Sequence, residues 1–279
     1  MFFKIFKKFC NDKNLLAYLV KKIISKLFFL KAKILVSLNA TDRPNYSYCV
    51  YHAAILAKKL GHKSFSVIEF GVAGGNGILF LEKFCKKLKY ELNIDIQIYG
   101  FDLKNGLMKS KDYKDLPYWF KEGFYSMDET KLKNLLKDSQ IILGDVKETV
   151  KNFFHQYNPA PIGVILNDLD YYSSTINSFD IFNAEDSRYL PRVFCYFDDI
   201  IGTENEMYNS YSGELLAIEE FNKKFENKKI TLNQNLVSTS NENWRYQIYY
   251  YHNFTHPEYN IFIGEEEQEN VQKALKLKI

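Results

Sequence analysis

Five short apolar runs, each closing on an acidic residue or a glycine, recur along this chain at intervals too long for hairpins. Residues 66–70 (SVIEF) run into a glycine cluster, 94–101 end at Asp102, 140–143 at Gly144 and Asp145, 161–166 near Asp168, and 192–197 at Asp198 and Asp199. Apolar residues at helical spacing occupy the gaps, over 48–60, 78–88, 129–136, 146–154, 175–182 and 214–221. Strands that alternate with helices predict an α/β fold, with a parallel, doubly wound sheet and right-handed crossovers. The pattern then changes. Residues 229–236 and 245–254 are β-rich with no long helix between them, so the spacing predicts an antiparallel pair at one edge and seven strands in all, the last antiparallel. Residues 107–127, rich in aromatics, form a long insertion after the second strand and predict a lid or substrate wall.

A chain of 279 residues with 46% hydrophobic and 25% charged residues has the proportions of a globular protein. No window holds the roughly 18 uninterrupted apolar residues of a membrane span. The net charge of +3 is unevenly spread: residues 1–40 hold nine Lys against Asp12 alone, a local +8 that leaves −5 for the rest. An acidic body excludes a general nucleic-acid surface. Asp42, Arg43, Pro44 and Asn45 read as a turn that separates a basic extension, 1–41, from a catalytic domain, 42–279. Within 2–28 apolar residues recur at helical spacing with Lys between them, predicting two short amphipathic helices. One reading is an anchor that docks on the inner face of a membrane or on a partner. The favoured reading is a segment that packs on the domain or on a second copy in a homo-oligomer. Four scattered cysteines, without CxxC pairs, predict reduced thiols, no zinc site and a cytoplasmic protein.

The loop after the first strand carries the first chemical signal. Glu69-x-Gly71-x-Ala73-x-Gly75 puts an acid at a strand end, then glycines where a backbone must turn tightly beside a ligand before a helix starts. The GxGxxG spacing of dinucleotide sites and the GxxxxGK[ST] of P-loops are both absent. A glutamate ahead of the loop suits a ligand with a cationic amino-acid end. The loop resembles the first motif of class I S-adenosylmethionine-dependent methyltransferases, with Ala73 where a middle glycine is usual. The resemblance implies a Rossmann-like fold and a cofactor site made by Glu69, Gly71, Gly75, Asp102 on the ribose hydroxyls, Asp145 near the adenine, and Asp168. Taken singly, Glu69, Asp102 and Asp145 could equally cap helices or form turns.

The second signal is a crowd of carboxylates. Asp168 and Asp170 follow the fourth strand, in Asn167-Asp-Leu-Asp-Tyr-Tyr-Ser-Ser-Thr175, and Asp198 and Asp199 follow the fifth. Like charges this close need a cation or raised pKa values, and an oxygen-only set favours a hard ion such as Mg²⁺. The pattern resembles the macrocin O-methyltransferase (TylF-like) family and related bacterial methyltransferases over residues 42–257, although Leu190-Pro191-Arg192 stands where a glycine pair is usual. That resemblance implies Asp168, Asp198 and Asp199 as metal ligands, with Asp170, beside Asp168, as the catalytic acid that orients or deprotonates a hydroxyl. The alternative is that Asp170 and Ser173 to Thr175 cap the next helix.

The reading that unites these signals is a Mg²⁺-dependent O-methyltransferase acting on a hydroxyl of a sugar or glycoconjugate precursor. Two others stand beside it: a metal-independent N- or carboxyl-methyltransferase, and a non-catalytic S-adenosylmethionine-binding protein that docks through its basic extension. His52, His252 and His256 read as packed or surface residues, and Glu206 and Glu214 as solvated acids.

Overall fold

The computed structural model describes residues 30–239 and 242–275. The amphipathic helices expected within 2–28 lie outside them. Strands β1 (Ser64–Phe70), β2 (Asp95–Asp102), β3 (Ser139–Leu143), β4 (Ile162–Asn167), β5 (Tyr189–Phe197), β6 (Lys228–Leu232) and β7 (Ile248–Asn253) form one sheet in the order β3-β2-β1-β4-β5-β7-β6. Neighbours from β3 to β5 run parallel, while β7 lies antiparallel to both β5 and β6.

Helices cover both faces. Helices α1 (Ala32–Ser37), α2 (Pro44–Lys59), α3 (Asn76–Leu92) and α4 (Glu129–Leu135) lie over one side. On the other are α5 (Val146–Tyr157), α6 (Tyr172–Ser178) and α7 (Gly213–Lys224). Phe65 and Val67 of β1 point into the first core and Ile68 and Phe70 into the second, the two-residue alternation of a strand buried on both sides. Ala32 and Leu35 are fully buried, and the Ala32 N–H donates to Glu91 of α3 at 2.8 Å, so this part of the basic extension packs on the domain. Cys49, Cys85 and Cys195 are buried free thiols. No helix among the described residues is long and apolar enough to cross a membrane.

Two local expectations are corrected, and one helix is added. Pro44 and Asn45 do not belong to the turn expected over 42–45: Pro44 is the first position of α2, where a missing N–H costs nothing and a fixed φ suits the helix. The β-rich run over 229–236 stops at Leu232, because the Asn233 side chain accepts from the Leu236 N–H and starts the one-turn helix α8 (Gln234–Val237). Helix α9 (Glu265–Ala274), beyond the last expected element, is held to α2 by a Lys59–Glu267 ion pair at 2.5 Å.

The chain winds outward from β1 through β2 to β3, then returns to the other side of β1 to form β4 and continues outward to β5. Such a reversal opens a crevice at the carboxyl ends of the strands, where open α/β sheets bind ligands.

Candidate active site

A cleft of about 400 Å³ fills this crevice. Gly71 and Ala73 after β1, Asp102 at the end of β2, Asp145 after β3, Asp168 and Asp170 after β4, and Asp198 and Asp199 after β5 all line it. Gly75 and Glu69 are not among its lining residues.

The glycine loop forms one half. Gly71 has φ +85°, and a Cβ there would sit 1.7 Å from the Asp168 carbonyl oxygen, so the loop passes against the β4 end as only glycine permits. Asp102 holds the loop's shape: one carboxylate oxygen accepts from the N–H groups of Val72 (3.0 Å) and Ala73 (2.8 Å), and the other from Lys104. Glu69 lies buried behind the loop under Gly77, where a Cβ would fall 1.8 Å from its Oε1. The Tyr46 hydroxyl donates to that oxygen at 2.8 Å, while Oε2 has no partner. Burial lifts the Glu69 carboxyl to about 7, against the pull of Tyr46 and Arg43. Asp145 does cap a helix: its side chain accepts from the Lys147 N–H at the start of α5 while also lining the cleft.

The second half is acidic. One carboxylate oxygen from each of Asp168, Asp198 and Asp199 falls within 4.8 Å of the others. Burial, then the negative charges of Asp198 and Asp199, hold the Asp168 carboxyl well above the usual range. Asp170 is pushed up to about 9 by burial, then by Asp199 and Asp198. Asp199 reaches about 7 through burial and Asp198, with the Tyr208 hydroxyl donating to it at 2.9 Å and drawing it down. Asp170 is no cap. It sits at φ +60°, a left-handed conformation that Asp adopts more readily than most residues, with its N–H given to Asp199 Oδ2 at 3.0 Å. The start of α6 is instead capped from the insertion, because Asp115 accepts from the Ser173 N–H and hydroxyl.

The insertion covers the cleft. Leu116 and Phe120 pack with Tyr171 in a small apolar cluster, and the Tyr118 hydroxyl donates to the Glu206 carbonyl, bridging the insertion to the loop after β5. Met108, Trp119 and Tyr125 form cleft wall.

Among solved structures, CalS11, a calicheamicin methyltransferase, superposes with a TM-score of 0.50 at 18% identity, covering 86% of this chain and 93% of its own. NovP, an O-methyltransferase, superposes with a TM-score of 0.50 at 12% identity, covering 73% and 78%. The chain has the fold of these methyltransferases. No protein-family model and no curated protein matches it by sequence.

Within that fold, several residues that shape the site were not legible as such. Glu214, expected to be a solvated acid, is fully buried at the start of α7, where its Oε2 accepts from the Asp199 N–H at 3.0 Å and its Oε1 has no partner. Its carboxyl is raised well above the usual range by burial, then by Asp199. Tyr46 and Tyr196 support Glu69 and Asp198 from below. The histidines are elsewhere: His52 packs against Tyr48 and Phe194, burial lowers it to about 4, and His252 hydrogen-bonds Tyr259.

Proposed function

We propose that the protein is an S-adenosylmethionine-dependent O-methyltransferase that uses Mg²⁺ and methylates a hydroxyl of a sugar or related acceptor. The observation that carries this reading is the convergence of Asp168, Asp198 and Asp199 in the same cleft as the glycine loop and Asp102. The donor set suits the proposed groups. Three carboxylates crowded together with oxygen donors alone favour a hard divalent cation, which relieves their repulsion. The loop leaves no room for a Cβ at Gly71, so its backbone borders the cleft closely, as a cofactor seated against it requires.

In this reading Gly71 and Asp102 seat the cofactor, and Asp145 borders its adenine. Asp168, Asp198 and Asp199 hold the cation. When bound, S-adenosylmethionine supplies an electrophilic methyl group on a sulfonium, and Mg²⁺ supplies charge that lowers the pKa of an acceptor hydroxyl. Asp170, which lines the cleft, would take the hydroxyl proton on a carboxylate oxygen once a bound cation has offset the negative charges of Asp198 and Asp199 that keep its own proton on. Trp119 and Tyr125 offer aromatic faces to a sugar ring, and the insertion shields the reacting groups from water. Among the described residues no Lys, Arg or His lines the cleft, so its charge favours a neutral acceptor over a phosphorylated one.

Calorimetric titration of S-adenosylmethionine, then Mg²⁺, tests the reading. Both are expected to bind wild type. Asp198→Ala is expected to lose Mg²⁺ and turnover but keep cofactor affinity, and Asp102→Ala to weaken the cofactor. Wild type that binds the cofactor without Mg²⁺ would favour a metal-independent transferase. Loss of both ligands from either substitution would remove the division of roles.

A further inference from the structure

Tyr196 is the second-last residue of β5, and Asp198 is the first residue beyond the strand, two positions on. Tyr196 is buried, 3% exposed, and its hydroxyl donates to Asp198 Oδ1. The Tyr196 ring packs edge-on against Tyr46, with centroids 5.6 Å apart, and Tyr46 in turn donates to Glu69. Tyr208 makes the corresponding bond to Asp199 from the loop after β5. Each of the two consecutive aspartates therefore has one neutral phenol donor within a crowd of negative groups.

If packing alone mattered, a phenylalanine would fill the place of Tyr196. Its hydroxyl instead fixes one oxygen of the Asp198 carboxylate and leaves the other for a ligand. A carboxylate oriented before a cation arrives loses less freedom on binding, which is why partners of metal ligands weigh heavily on affinity.

We infer that Tyr196 is a positioning residue that holds the Asp198 carboxylate for a divalent cation. The inference rests on the metal reading proposed above.

Tyr196→Phe keeps the ring and removes only the hydroxyl. Wild type and variant are titrated with MgCl₂ by calorimetry, with Mn²⁺ by electron paramagnetic resonance, and separately with S-adenosylmethionine. Affinity for both cations is expected to fall about 10- to 100-fold, while cofactor affinity and melting temperature stay near wild type. Cation affinity unchanged in Tyr196→Phe would overturn the inference, as would a parallel loss of cation and cofactor. Wild type that binds neither cation would bring down the metal reading itself, and the inference with it, before any variant is compared.

Discussion

The two halves of the cleft are built by different means. The glycine-loop half is shaped by backbone: a positive φ at Gly71, N–H groups gathered by Asp102, and a helix starting at Asn76. The acidic half is shaped by side chains that brace one another, with Tyr208 and Glu214 against Asp199, Tyr196 against Asp198, and Asp115 of the insertion capping α6. Backbone geometry tolerates almost no change at a few positions. A side-chain cluster of like charges is governed by proton and cation occupancy, and so by the solution around it.

The largest effect is expected in the backbone half. Gly71→Ala places a methyl group 1.7 Å from a carbonyl oxygen at a residue with φ +85°, so loop and β4 end must separate. Positive-φ strain and the clash together are expected to cost about 3 kcal/mol or more, read as a lower urea midpoint, with cofactor binding lost. Wild-type stability in this variant would mean that the loop is not pinned by its backbone.

The acidic half should respond to pH instead. Asp199 and Glu69 at about 7 and Asp170 at about 9 all lie above the ordinary carboxylate value of about 4. The folded protein keeps these protons to higher pH than the unfolded chain does. Stability is therefore full below about pH 4 as far as these groups are concerned, and falls as pH rises towards 9. Melting temperatures of metal-free protein between pH 5 and 9 should show this decline. Mg²⁺ should flatten the part due to Asp199 and Asp170, and Glu69→Gln the part due to the loop half. A decline insensitive to Mg²⁺ would place its origin outside the aspartate cluster.

The same contrast explains what could be read from the sequence. The alternation of strands and helices, and the acid or glycine at each strand end, depend on short stretches such as SVIEF and CYFDD, whose composition already specifies a buried strand followed by a turn. Because strand ends in this topology share one edge, Asp102, Asp168 and Asp198 could be placed together without knowing any contact. Glu214 gives no such sign. It begins an ordinary amphipathic helix, and only the path of the loop after β5 puts it behind Asp199. Tyr46 and Tyr196 are two among 21 tyrosines, distinguished from the others by partners that tertiary packing supplies. Pro44 misleads for a different reason: proline marks a turn and a helix start equally well, and what decides is the apolar face that follows.

The smallest effect sharpens the comparison at Asp145, which belongs to the backbone half yet acts through its side chain. Its carboxylate accepts the Lys147 N–H at 2.9 Å as the cap of α5 and lines the cleft as well. Asp145→Ala removes both functions and is expected to cost about 1 kcal/mol of stability, the usual value of a lost cap. Asp145→Asn keeps a capping oxygen, and its stability should stay within a few tenths of a kcal/mol of wild type. Urea denaturation of the two variants isolates the cap, and cofactor titration of Asp145→Asn isolates the charge beside the cleft. Weaker cofactor binding in Asp145→Asn at unchanged stability would assign the carboxylate a part in the site. Unchanged binding would leave Asp145 as a helix cap whose position at the cleft edge follows only from where β3 ends.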